Sequence, residues 1–163
     1  MRRFLLLLLI VAAASTAGSA ASTAGSAAAA LPGLSGTDPV SGKHIDIASY
    51  RGKPLVVNIW ASWCPGCNQE ARDLEAFARA HRGAQVLGID TKDSTSGARA
   101  FYAKYRWTHP SVFDPHGDIA AAWALRGLPT TYFIDRHGNV VAQIIGAGTR
   151  AQFEQGLALA TRK

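Results

Sequence analysis

Apolar residues run without a break from Phe4 to Ala14 and then give way to alanine, serine, threonine and glycine. Beyond Leu34 the pattern becomes periodic. Val40-Ser41-Gly42-Lys43-His44-Ile45-Asp46-Ile47 combines a Ser-Gly turn with alternating apolar residues and predicts a small hairpin. After the turn Arg51-Gly52-Lys53-Pro54, the run Leu55-Val56-Val57-Asn58-Ile59-Trp60 is mostly apolar and rich in β-branched residues, as in a strand buried on both faces. From Cys67 the period changes to that of a helix. Ala71, Leu74, Phe77 and Ala78 share one face, Arg72, Asp73, Glu75 and Arg79 the other, and the helix ends near Gly83. Val86 to Asp90 reads as a second buried strand, and Ala98, Phe101 and Tyr105 mark a second helix. Asp114-Pro115-His116-Gly117 is a turn, and Ile119 to Leu125, with Trp123, a short helix. Thr130 to Asp135 and Val140 to Ile145 are strands joined by the turn Arg136-His137-Gly138-Asn139, and Phe153, Leu157 and Ala160 stripe a closing helix.

The order is therefore hairpin, β, α, β, α, β, β, α. A βαβ unit followed by a ββα unit predicts an α/β fold: a mixed central sheet flanked by helices, with an N-terminal β-hairpin extension. The helix after Cys64 starts at the C-terminal end of a central strand, where such sheets place their sites.

Composition changes the reading of the first segment. Met1-Arg2-Arg3, the apolar run and the small residues around Ala27-Ala28-Ala29 follow the order of a cleaved export signal. The run is about 11 residues, whereas a membrane span needs roughly 20. An uncleaved anchor that borrows the following alanines is the alternative. Ser15–Ala21 and Ser22–Ala28 repeat the same seven-residue sequence, a low-complexity stretch unable to form a core. Residues 1–29 are thus expected to be signal and low-complexity sequence, 30–35 a linker, and 36–163 one folded domain. The chain is expected to be exported, secreted or periplasmic, and soluble after cleavage. Its formal charge of +6 falls to +4 without Arg2 and Arg3, and the other basic residues are interleaved with acidic ones. No basic cluster suggests nucleic acid.

The chain has two cysteines, Cys64 and Cys67, in Trp63-Cys64-Pro65-Gly66-Cys67. So short a loop constrains the unfolded chain little, so a purely structural disulfide is a poor explanation. A zinc site wants a second such pair or spaced histidines, but His44, His81, His109, His116 and His137 are scattered. A c-type haem site needs His after the second cysteine, where Asn68 stands. Neither metal nor other cofactor is expected. A peroxidase would need a peroxidatic cysteine in its own loop context. A redox pair remains, with Cys64 attacking at the helix start, where free N–H groups and the dipole favour the thiolate, and Cys67 resolving one turn further in, more shielded.

Trp60-Ala61-Ser62-Trp63-Cys64-Pro65-Gly66-Cys67 with Glu70 resembles the WCxxCxxE motif of the TlpA/ResA/DsbE-like branch of the thioredoxin superfamily. Arg51-Gly52-Lys53-Pro54 and Gly127-Leu128-Pro129-Thr130-Thr131-Tyr132-Phe133-Ile134-Asp135 are similar to that branch too. The resemblance implies a thioredoxin fold for residues 36–163 and a cis Leu128–Pro129 bond packed opposite the cysteines. It makes Pro129 part of the catalytic apparatus, and Trp63, Pro65, Gly66, Leu128 and Pro129 the peptide-binding surface. Thioredoxins carry a buried Asp six residues before the first cysteine, where this chain has Asn58. The resemblance instead points to Asp93 as the proton-handling acid near Cys67, with Asp90 the neighbour most easily confused with it. Glu70 is either a modulator of the thiol pair, as the resemblance implies, or an ordinary exposed residue of the first turns. Trp60 is assigned to core packing.

The function implied is extracytoplasmic disulfide exchange with proteins, either reductive, as in cytochrome c maturation, or oxidative, in folding. The partners expected are protein or peptide thiols and disulfides and a redox partner of the class of a membrane electron donor or oxidant, with the chain a monomer. A binding module that captures Cys-containing peptides, copper or haem through the same groove is the alternative.

Overall fold

Every residue of Leu55–Trp60 is buried, and this segment (β3) is the central strand of a five-stranded sheet. The computed structural model describes residues 31–162. The signal and low-complexity sequence expected over 1–29 lies outside the described residues. The other elements are β1 (Ser35–Thr37), β2 (His44–Asp46), α1 (Pro65–Ala80), β4 (Gln85–Thr91), α2 (Thr95–Tyr105), β5 (Ser111–Asp114), α3 (Asp118–Ala122), β6 (Thr130–Ile134), β7 (Val140–Ile145) and α4 (Arg150–Ala160).

The main sheet runs β5-β4-β3-β6-β7. β3 pairs parallel with β4 and antiparallel with β6, and β4 pairs parallel with β5. The sheet is mixed, as predicted, but it contains a strand the sequence pattern did not reveal. β5 has four residues, directly after Pro110, too few to show a period. The hairpin also sits earlier than expected. Its first arm is Ser35–Thr37, paired with His44–Asp46, so Val40–Lys43 belongs to the connection.

Period-2 alternation along β3 separates two cores. Val56 and Trp60 face α1, α2 and α4 with Leu74, Phe77, Phe101, Phe133 and Phe153. Leu55, Val57 and Ile59 face the other side, with Leu34, Ile45, Leu87, Ile89, Val112 and Trp123. Asn58 falls between Val56 and Trp60 and so points toward α1. Trp60 is fully buried, as assigned, and its Nε1 donates to Ser111 Oγ at 3.0 Å.

Candidate active site

α1 begins at Pro65, two residues earlier than its apolar stripe indicates. Pro65 occupies a first-turn position, where a missing N–H costs nothing, and Cys64 is the N-cap. Cys64 Sγ accepts the Cys67 backbone N–H at 3.1 Å, and the two cysteines form a disulfide with Cα atoms 5.2 Å apart. The expected difference in shielding is not found in this oxidised form: Cys64 is 2% exposed and Cys67 1%. Position on the helix, not exposure, distinguishes them. Only Cys64 has its sulfur at the N-cap, against an N–H that has no intrahelical acceptor.

Asn68 braces this turn, a role that the sequence did not reveal. Its Nδ2 donates to the carbonyls of Ser62 and Cys64, both at 2.9 Å, and its Oδ1 accepts from Tyr105 Oη at 2.8 Å. Trp63 is 58% exposed beside the disulfide, with Nε1 donating to Lys92 O at 2.9 Å. A hollow of about 180 Å³ lies next to it, lined by Trp63, Thr91, Lys92, Ala120, Leu125 and Leu128 among others. A larger one, about 490 Å³, lies at the opposite end of the sheet around Leu55, Ile134 and Asp135, away from the cysteines.

The Leu128–Pro129 bond is cis. The loop that carries it packs on the active-site turn so closely that a Cβ on Gly66 would stand 2.9 Å from Pro129 Cδ. Gly66→Ala is therefore expected to push the two loops apart, costing about 1–2 kcal/mol of stability. It should slow the reaction of the Cys64–Cys67 disulfide with a protein thiol more than with a small aromatic thiol. Comparing the two rates checks this; equal rates to wild type for both substrates would mean that the contact has no functional weight.

Glu70 lies one turn beyond Cys67 and is buried, not an ordinary exposed residue of the first turns. It is 1% exposed. Asn58 Nδ2 donates to its Oε1 at 2.8 Å and Gly148 N to its Oε2 at 2.7 Å. Burial outweighs these two bonds and pushes its pKa up to about 7. Asn58 also donates to Thr131 Oγ1 at 2.9 Å, so the residue standing where thioredoxins have Asp serves to tether Glu70 and β6.

Asp93 accepts from Ser62 N, from Ser62 Oγ at 2.8 Å and from Ser94 N at 2.7 Å. Its hydrogen bonds thus go to the turn ahead of Cys64 and to the start of α2. The fully buried acid in this region is its neighbour Asp90. Burial, and then the proximity of Asp93, push the pKa of Asp90 up to about 8.

The sequence model of the AhpC/TSA family matches residues 27–143. The thiol-disulfide oxidoreductase ResA of Bacillus thuringiensis subsp. konkukian is 27% identical over 120 residues, 72% of this chain and 69% of that protein. The thiol:disulfide interchange protein DsbE of Allochromatium vinosum is 35% identical over 96 residues, 58% of this chain and 52% of that protein. Among solved structures, a secreted Mycobacterium tuberculosis disulfide oxidoreductase homologous to E. coli DsbE superposes with a TM-score of 0.71 at 28% identity, covering 77% of this chain and 94% of that one. M. tuberculosis DsbF gives 0.73 at 26% identity, covering 78% and 95%.

Proposed function

The chain belongs to the AhpC/TSA family, and from that premise we propose that it is an exported enzyme that exchanges disulfides with proteins through Cys64 and Cys67. The observation that carries this reading is the disulfide with Cys64 Sγ at the helix N-cap, against the Cys67 N–H and beside the Pro129 loop.

The exchange follows from those positions. In the reduced enzyme the Cys64 thiolate attacks a substrate disulfide, forming a mixed disulfide and releasing one substrate thiol. Cys67 then attacks Cys64 Sγ. The Cys64–Cys67 disulfide forms, the second substrate thiol leaves, and two electrons have passed to the substrate. The reverse sequence oxidises a dithiol. Trp63, Pro65, Gly66, Leu128 and Pro129 border the disulfide and are the surface on which the client peptide docks as an extended segment. Glu70, on the helix face of Cys67, modulates the pair. No helix among the described residues is long and apolar enough to cross a membrane. Export itself rests on the N-terminal sequence and on the secreted relative.

Insulin reduction and refolding of a reduced protein, combined with the potential of the pair, test the proposal and its direction. Catalysis of either reaction at substoichiometric enzyme is expected. A potential near −120 mV would make the enzyme an oxidant and one near −270 mV a reductant, each to about 30 mV. Stoichiometric peptide capture without turnover would overturn the reading.

A further inference from the structure

Asp90 is the one acid near the site whose surroundings do not explain it. It is fully buried on β4, paired in register with Trp60, and neither carboxyl oxygen meets a donor. A buried carboxylate in this condition is costly. The ionisable groups that act on it are Asp93 in the loop after β4, Asp114 on β5 and Asp38 in the turn after β1. From α2 it faces Tyr102, whose hydroxyl is committed to His109 O and Ser111 Oγ. None of these is a cation.

Asp93 is the nearest of them in effect, and its position is the opposite of Asp90's. It has three donors, two of them on Ser62, and it adjoins the N-cap of α2, where negative charge is favoured. Two acceptor groups in proximity are reconciled by one proton, and the donor count decides its place. The charge belongs on Asp93, which has donors for it, and the proton on Asp90, which has none. The fit around Asp93 is tight: a Cβ on Gly97 would come within 2.4 Å of Ser62 Oγ and 2.7 Å of Asp93 Oδ1.

We propose that the buried Asp90 is the proton-carrying partner of the half-buried Asp93, and that this acid pair holds the Ser62 turn that presents Cys64. Asp90 is then a positioning residue for disulfide exchange, a statement that rests on the function proposed above. While Asp90 is neutral, Asp93 keeps its charge and its grip on Ser62. When Asp90 ionises, its buried carboxylate repels that of Asp93, and the Ser62 hook loosens.

The test uses the whole exported protein. In the wild type, the Asp90 carboxyl carbon should titrate by NMR with a midpoint near 8, and the Ser62 amide signal should move with the same midpoint. In Asp90→Asn, whose amide donates to Asp93 at every pH, the Ser62 titration should vanish. The exchange rate of wild type relative to Asp90→Asn should fall about fivefold between about pH 7 and about pH 9. An Asp90 carboxyl that is ionised at acid pH, or a Ser62 titration that persists in Asp90→Asn, would overturn the proposal. The carboxyl titration needs only the wild type and stands even if the variant does not fold. A protein that exchanges no disulfides at any pH would sink the proposed function instead, and the two NMR titrations would still decide the acid pair.

Discussion

Cys64→Ser is expected to abolish disulfide exchange, and Cys67→Ser to halt it at a different step, with mixed disulfides accumulating on Cys64. A serine hydroxyl at the N-cap still accepts the Cys67 N–H, so the helix start is preserved while the nucleophile is lost. Turnover should fall to the uncatalysed level, because nothing else among the described residues supplies a thiolate. With Cys67→Ser the first attack proceeds, but no second sulfur displaces the client. Both variants lose the same small cross-link, worth roughly 2 kcal/mol for so short a loop. Stability therefore cannot account for a difference between them. Non-reducing gels and mass spectrometry after incubation with a thiol-containing client read the result. Mixed disulfides on Cys67 in the Cys64→Ser protein, exceeding those on Cys64 in the reciprocal variant, would reverse the order of attack.

The redox pair was legible in the sequence because its chemistry is local. Two cysteines three apart, after an apolar strand and before an amphipathic helix, leave few other uses. Its acids were less legible because their states depend on residues far along the chain. Glu70 is visibly one turn from Cys67, but its burial is completed by Gly148, 78 residues away. Asp90 and Asp93 look interchangeable in Gly88-Ile89-Asp90-Thr91-Lys92-Asp93. Strand periodicity turns Asp90 into the core with Trp60, while Asp93 lies past the strand end and meets Ser62. The sequence marks Asn68 only as the residue standing where a haem motif would have histidine. Its brace on Ser62 and Cys64 gains its other anchor from Tyr105 on α2, a partner no local pattern announces. The missing strand β5 has the same cause. Its four residues are held by pairing with β4 and by Asp38, which accepts from Ser111 N at 2.9 Å, rather than by their own propensity.

The oxidised protein is expected to be more stable near pH 5 than near pH 8, with Glu70 responsible for much of the difference. Its folded pKa of about 7 lies above the ordinary value of 4.5. The folded state therefore holds a proton over that interval that the unfolded state has released, and stability falls as pH rises through it. At about 1.4 kcal/mol per pH unit the loss is roughly 3 kcal/mol by the time Glu70 is ionised in both states. Asp90 acts in the same direction, over the interval from 3.8 to about 8. Glu70→Gln isolates the first contribution. The glutamine carbonyl can accept the Gly148 N–H, and its amide can donate to Asn58 Oδ1, which has no partner in the wild type, once the Asn58 amide turns over. The variant should match the wild type near pH 5 and exceed it above pH 7, so that the two stability curves diverge by a few kcal/mol. Urea unfolding at a series of pH values measures this directly. Parallel curves would mean that Glu70 is ionised in the folded protein throughout. The group one turn from Cys67 would then be a fixed charge rather than an acid able to exchange a proton with the thiol pair.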